Sequence, residues 1–199
     1  MARNQKQNEQ MRDDRCTAIL SAAGRFFAVR GFQATKISDI AAEVGMSQGL
    51  LYHYYRSKEE IFIEIIRSAF DKMNAAARAL EKASLSPSQK LKTLVSSLIK
   101  SLESPDFVWF STLISTASIS DAVPAGAKEI IEKERDVPYE VLARIVREGQ
   151  AEGSVKSQNA DDLTTVFWTA IKGLALHKAA LGDRFKAPDS TVLRAIFFD

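Results

Sequence analysis

The stretch ISDIAAEVGMSQGLLYHYY, residues 37–55, decides the fold of the N-terminal part of this chain. Its apolar side chains recur at helical spacing, which predicts two short helices that pack together through one face. These apolar positions are Ile37, Ile40, Val44, Met46, Leu51 and Tyr54. Small Ala41 allows the helices to approach closely, and Gly45 supplies the tight turn between them. The pattern therefore predicts a helix-turn-helix.

Longer amphipathic helices are expected on both sides of this pair. Before it, residues 13–30 carry an apolar stripe, and Gly31 follows where a helix end favours a left-handed residue. After it, Ser57 begins a capping-box sequence with Glu60 at the third helical position. This signal predicts a long helix that reaches about residue 82.

Hydroxyl side chains mark the starts of the two short helices. We expect Thr35 to cap the first, over residues 36–44, and Ser47 to cap the second, because such side chains accept hydrogen bonds from the first helical N–H groups. Polar side chains lie off the apolar face: Lys36, Gln48, His53 and Lys58. This surface suits phosphate groups, although a helical hairpin with no DNA role carries the same apolar pattern.

The rest of the chain is also predicted to be helical. Its 199 residues include only nine glycines and five prolines, and the apolar residues between them recur at helical spacing. We expect an all-α protein in which residues 1–58 form an N-terminal arm and helix-turn-helix domain, and residues 59–199 a larger helical domain. Pro138 is expected to kink a helix over residues 125–152 rather than split it.

Composition and charge exclude several classes of protein. The polar first fifteen residues, and the lack of an apolar run of the length that spans a membrane, predict a cytoplasmic protein with no membrane partner. A single cysteine, Cys16, and two separated histidines predict no metal, no cofactor and no catalysis. Residues 1–58 hold nine Lys and Arg against five Asp and Glu, a net charge of +4 within a total of +2, which favours a nucleic-acid partner at this end.

Two segments of the chain resemble the DNA-binding domain of the TetR family of repressors. They are GFQATKI, residues 31–37, and DIAAEVGMSQGLLYHYYRSKEEIF, residues 39–62, and the similarity extends over about residues 13–65. The most specific part is YHYYRSKEE, residues 52–60, which an unrelated helical hairpin has no reason to carry.

The resemblance implies a role for each polar position of the helix-turn-helix. Residues 47–54 would form the recognition helix, starting at Ser47, with Gln48, Gly49 and Leu50 facing the major groove. The implied phosphate contacts are Thr35, Lys36, Tyr52, His53 and Lys58. An amide such as that of Gln48 is suited to adenine, whereas Leu50 is limited to apolar contacts such as a thymine methyl.

Apolar residues of the larger domain suggest an effector pocket and a dimer interface. The candidate pocket residues are Phe70, Met73, Phe107, Trp109, Phe110, Leu113 and Ile114, which equally suit an ordinary core. The family pairs its last helices across a homodimer, which implies the interface residues Leu163, Phe167, Ile171, Leu174, Leu181, Val192 and Ile196.

These features together predict a transcriptional repressor. It would bind double-stranded DNA at a palindromic operator as a homodimer, and a small apolar or aromatic effector would release it. In the family, effector binding shifts the fourth helix and changes the separation between the two DNA-binding domains of the dimer. An architectural DNA-binding dimer without an effector is the alternative that the sequence leaves open.

Overall fold

The protein is all α-helical across the residues that its computed structural model describes, namely residues 2–199, with side chains for residue 7 and residues 9–199. This confirms the predicted fold class. The helices are α1 (Ala2–Ala34), α2 (Ile37–Glu43), α3 (Gln48–Tyr52), α4 (Lys58–Lys82), α5 (Pro87–Ser101), α6 (Pro105–Ile119), α7 (Ala125–Glu134), α8 (Val137–Ala151), α9 (Ala160–Leu181) and α10 (Ser190–Arg194), with a 3-10 helix at Gly182–Arg184.

The first helix is longer than predicted but is interrupted where the sequence indicates. It begins at Ala2 rather than near residue 13. At Gly31 the backbone leaves the helical region, with φ 80° and ψ 165°. A side chain is strongly disfavoured in this conformation, so the glycine is what allows the chain to turn from α1 towards α2.

We expect Gly31→Ala to destabilise the protein by roughly 1–3 kcal/mol, because alanine is strained at this backbone conformation. The loss comes from the backbone alone, since a Cβ atom at Gly31 has open space around it. Urea unfolding measures the change. Gly49→Ala is the matched control, because Gly49 also has open space but ordinary helical dihedrals; an equal loss in both variants would contradict the backbone explanation.

Two of the three predicted helix N-caps are present in the structure. The Ser47 hydroxyl accepts a hydrogen bond from the Leu50 N–H, and the Ser57 hydroxyl accepts one from Glu60, both at 3.1 Å. The N-cap of α2 is Lys36, without a side-chain hydrogen bond, so the predicted cap at Thr35 is wrong. The Thr35 hydroxyl instead donates to the Gly31 carbonyl at 2.8 Å, and thereby fixes the turn that Gly31 opens.

A first hydrophobic cluster joins the helix-turn-helix to α1, α4 and α6. At its centre the rings of Phe27, Phe32 and Phe62 lie 5.2–5.7 Å apart, in tilted and edge-to-face arrangements that favour aromatic contact. Ile40 and Leu51 bring α2 and α3 onto this cluster with no exposed side-chain surface. The helix-turn-helix is therefore held rigidly against the longer helices.

A second hydrophobic cluster lies among α5, α8, α9 and α10. Residues 125–152 form two helices, α7 and α8, so the predicted single kinked helix is wrong. Pro138 lies in the first turn of α8, where its missing N–H group has no intrahelical partner to lose. The proline therefore lies at the start of a separate helix, α8, and does not kink a longer one.

Helices α4 and α6 connect the two clusters. Helix α4 packs against α1, α7 and α8, and α6 packs against α1 and α9. Buried Asn74 of α4 donates to the Glu134 carboxylate at 2.9 Å, and Glu81 near the end of α4 accepts from Arg144 of α8 at 2.6 Å. That bond lowers the pKa of the Glu81 carboxyl. None of the helices within residues 2–199 has the length and apolar character needed to span a membrane.

Candidate nucleic-acid interface

The outer face of α3 is a solvent-exposed surface on a rigid support. Gln48, Gly49 and His53 are exposed, and Leu50 and Tyr52 keep 37% and 44% of their surface accessible. The face thus combines polar side chains with partly exposed apolar and aromatic ones. The inner face is fixed by Leu51, which is fully buried, so α3 presents these side chains in a defined orientation.

Ion pairs connect α2 to α1 at the back of this surface. Arg25 pairs with Glu43 at 2.5 Å, and Arg30 pairs with Asp39 at 2.8 Å. Both pairs are partly exposed and each contributes little to stability, so α2 is held mainly by its buried side chains, with the ion pairs as additional contacts to α1. Sequence reasoning missed them because no short motif links residues on separate helices.

The structure separates the predicted DNA contacts into three groups. Lys36, Ser47 and the exposed residues of α3 lie on the surface. Thr35 is only 1% exposed, and its hydroxyl is bonded to Gly31, so its side chain does not face DNA and the predicted contact is revised to a positioning role. Lys58 is half-buried, with its ammonium turned towards the protein.

Lys58 connects the start of α4 to the end of α1. Its Nζ atom donates to the carbonyl of Thr35 at 3.0 Å and to that of Gln33 at 3.3 Å. The same ammonium lies 4.5 Å from the centre of the Phe32 ring, within the range of a cation–π contact. These three contacts make Lys58 a clamp on the turn that leads into the helix-turn-helix.

We expect Lys58→Ala to lower the free energy of unfolding by about 1–3 kcal/mol in the absence of DNA, because charge-assisted hydrogen bonds to carbonyls are lost. Chemical denaturation of the DNA-free protein measures this. Lys36→Ala is the control, since Lys36 is exposed and its side chain caps nothing. An unchanged stability in Lys58→Ala would contradict the role of Lys58 as a clamp.

Tyr55 and Cys16 carry ionisable side chains, but both are part of the hydrophobic packing of this domain. Burial, with Cys16 as a close neighbour, raises the pKa of the Tyr55 phenol, which therefore stays protonated. Tyr55 belongs to the first hydrophobic cluster and Cys16 packs against it.

The predicted pocket residues lie in two different places. Phe70 and Leu113 are buried in the first cluster, with Met73, Phe110 and Ile114 packed against it, whereas Phe107 packs against the second. Trp109 is half-buried on α6. A crevice of about 240 Å³ lies between α1, α4 and α6, and Leu113 is the member of the predicted set that borders it.

The last long helix has two apolar faces. Phe167 and Ile171 point into the second cluster, so these two predicted interface residues are core residues of a single chain. Leu163, Leu174 and Ile196 pack against the same cluster, Leu181 is half-buried and Val192 is exposed. The outer face of α9 carries Val166 and Leu176, which are 55% and 57% exposed, with Gly173 between them.

The N-terminal domain matches a known family. A family model described as "Bacterial regulatory proteins, tetR family" matches residues 19–65. A transcriptional repressor of Mycobacterium tuberculosis strain H37Rv, KstR2, is 34% identical over 85 residues, which cover 43% of this chain and 42% of that protein. KstR2 of Mycolicibacterium smegmatis is 27% identical over 159 residues, or 77% of this chain and 76% of that one.

Similarity to solved structures extends over nearly the whole chain. The MbdR regulator of Azoarcus sp. CIB superposes with a TM-score of 0.74 at 22% identity and covers 92% of this chain and 96% of its own. A transcriptional regulator of Saccharomonospora viridis, crystallised with choline, gives 0.68 at 24% identity over 92% and 94%. These structures share the fold, and the sequence matches place the helix-turn-helix. Residues 19–65 thus match the tetR family of bacterial regulatory proteins, and the chain as a whole shares the fold of these solved regulators.

Proposed function

We propose that this protein is a transcriptional repressor that binds a palindromic operator in double-stranded DNA as a homodimer. The exposed outer face of α3, held on a buried inner face, is the observation that carries this proposal. Gln48, Gly49 and Leu50 would face the bases, and Lys36, Tyr52 and His53 would contact phosphates. The KstR2 relatives are repressors, which supports the same direction of regulation.

The dimer would form through the outer face of α9. Val166 and Leu176 provide apolar surface, and Gly173 has no atom near the position of a Cβ, so a second helix is able to approach closely there. A two-fold axis through this face makes the same patch serve both partners. Two recognition helices about 34–36 Å apart then read successive major grooves, which requires a palindrome.

A small apolar or aromatic effector would release the protein from DNA. Helices α4 and α6 each contact α1, and they also contact α8 and α9, respectively, which lie in the second half of the chain. A ligand that moves either helix therefore shifts the helix-turn-helix relative to the proposed dimer face. The S. viridis neighbour, with its choline, shows that a protein of this fold takes up a small molecule.

The test is selection of binding sites from random 30-base-pair duplexes, followed by titration of the enriched sequence. We expect one palindrome to be enriched and bound by two chains. Tyr52→Ala should weaken binding, since the exposed ring is lost, and Tyr52→Phe isolates the hydroxyl contribution. If the protein binds DNA without sequence preference and no small molecule reverses the binding, an architectural DNA-binding dimer is favoured instead.

A further inference from the structure

A groove between α1 and α3 lies directly beside the proposed recognition surface. It has a volume of about 260 Å³, and its lining residues are Met11, Arg12, Arg15, Leu50, His53 and Tyr54. Leu50 and His53 belong to the exposed face of α3, whereas the other wall comes from the N-terminal part of α1. Any polyanion that follows α3 therefore passes the side chains of α1.

The groove carries positive charge without acidic side chains in its lining. Arg12 and Arg15 are both exposed, and they share one face of α1 because residues three apart are neighbours on a helix. Asp13 and Asp14 lie between them in sequence but are rotated away from this face. Asp14 accepts a hydrogen bond from Gln10 at 2.9 Å instead of pairing with either arginine.

Arg15 is already oriented towards α3. Its Nη1 atom donates to the Tyr54 hydroxyl at 3.1 Å, which fixes the guanidinium at the edge of the groove and leaves its other N–H groups free to donate. Within the described part of the chain, no carboxylate lies within 4.0 Å of the charged nitrogens of Arg12 or Arg15. The two charges are thus available to an external anion.

We infer that Arg12 and Arg15 of α1, opposite His53 of α3, form a phosphate-binding groove for the DNA strand that borders the major groove. The inference rests on the proposed function and extends the DNA interface beyond the helix-turn-helix. Guanidinium groups bind phosphate oxygens through paired N–H donors, and both are carried by the same rigid helix. Since phosphates carry no base identity, the groove adds affinity and register rather than sequence preference.

The salt dependence of binding is the quantity that this inference predicts. Each phosphate contact adds about 0.9 to the slope of log affinity against log salt for duplex DNA. Because the proposed homodimer carries each substitution twice, we expect Arg12→Ala and Arg15→Ala each to lower the slope by about 2 and to weaken binding to all duplexes about equally. Arg15→Lys should restore most of the slope, because a lysine still offers one positive charge.

The experiment titrates the full-length protein with the selected palindrome and with a random 30-base-pair duplex at several salt concentrations. Arg78→Ala is the matched control, because Arg78 is an exposed arginine on α4 and its removal changes net charge equally. Thermal unfolding of each variant confirms that the fold is kept. A slope that falls in Arg12→Ala and Arg15→Ala but not in Arg78→Ala supports the groove.

Three outcomes would overturn the inference in distinguishable ways. If the wild-type protein binds DNA but both arginine variants keep its slope, the groove does not hold phosphate and the proposed function stands. If the variants lose affinity for the palindrome alone, the arginines read bases. If the wild-type protein binds neither duplex, the proposed function fails together with the groove.

Discussion

The double variant Val166→Glu/Leu176→Glu is expected to be monomeric and to bind the operator at least about a hundredfold more weakly, since coupling two half-sites is worth about 10²–10⁴ in affinity. Both side chains are more than half exposed on α9 in a single chain, so the substitutions leave the core intact. A two-fold interface repeats each substitution, and four carboxylates would lie buried against each other. Light scattering coupled to size exclusion gives the oligomeric state, and titration gives the affinity.

The control for this prediction is Ile119→Glu. Ile119 lies at the end of α6 with 87% of its surface exposed, so the change has the same chemistry at another site. We expect this variant to remain dimeric and to bind DNA as the wild type does. A dimer that survives in Val166→Glu/Leu176→Glu would show that α9 is not the interface.

Features set by residues close in sequence were predictable. The turn at Gly45 and the caps at Ser47 and Ser57 depend on groups three or four residues apart, and the structure has all of them. Thr35 failed as a cap because its hydroxyl had a nearer partner, the Gly31 carbonyl, in the turn before α2. A local rule names the hydroxyl but does not choose between accepting a hydrogen bond from a helical N–H group and donating one to a nearby carbonyl.

Features set by the packing of distant helices were not predictable. The helical spacing of apolar residues along α9 indicates that Phe167 and Ile171 pack against other side chains, and they do. The spacing does not indicate that those side chains belong to the same chain rather than to a partner. Exposed Val166 and Leu176 lie on the opposite face, outside the predicted set of interface residues. A helix with apolar residues on two faces has no single stripe, so periodicity alone leaves open which face meets a partner.

The same limit applies to the DNA-binding surface. The pattern places Lys58 beside the helix-turn-helix, and its polarity suggested a phosphate contact. Only the fold brings the Gln33 and Thr35 carbonyls within reach of its ammonium, 25 and 23 residues away in sequence. Arg15 is likewise tied to Tyr54 over 39 residues. Sequence therefore predicted which side chains form the proposed DNA-binding surface, while the contacts that support this surface depend on the tertiary fold.

Gly49→Glu is expected to abolish specific DNA binding while leaving the fold at least as stable. Gly49 lies in the first turn of α3, is exposed and has no atom within 4 Å of the position of a Cβ, so a side chain meets no obstacle. Glutamate is a better helix former than glycine and is favoured near a helix N-terminus. On the proposed reading face, however, its carboxylate would meet the phosphates and base edges of DNA.

The expected loss of affinity is at least about a hundredfold, because like charges brought together at an interface cost several kcal/mol. Titration with the selected palindrome measures the affinity, and thermal unfolding measures the stability. Gly49→Gln is the matched control, since glutamine has the shape of glutamate without its charge: a smaller loss assigns the difference to charge, and an equal loss assigns it to a groove too narrow for any side chain. If Gly49→Glu binds DNA with wild-type affinity, α3 does not face DNA. A carboxylate on α3 that lay next to the phosphates would weaken binding by charge repulsion.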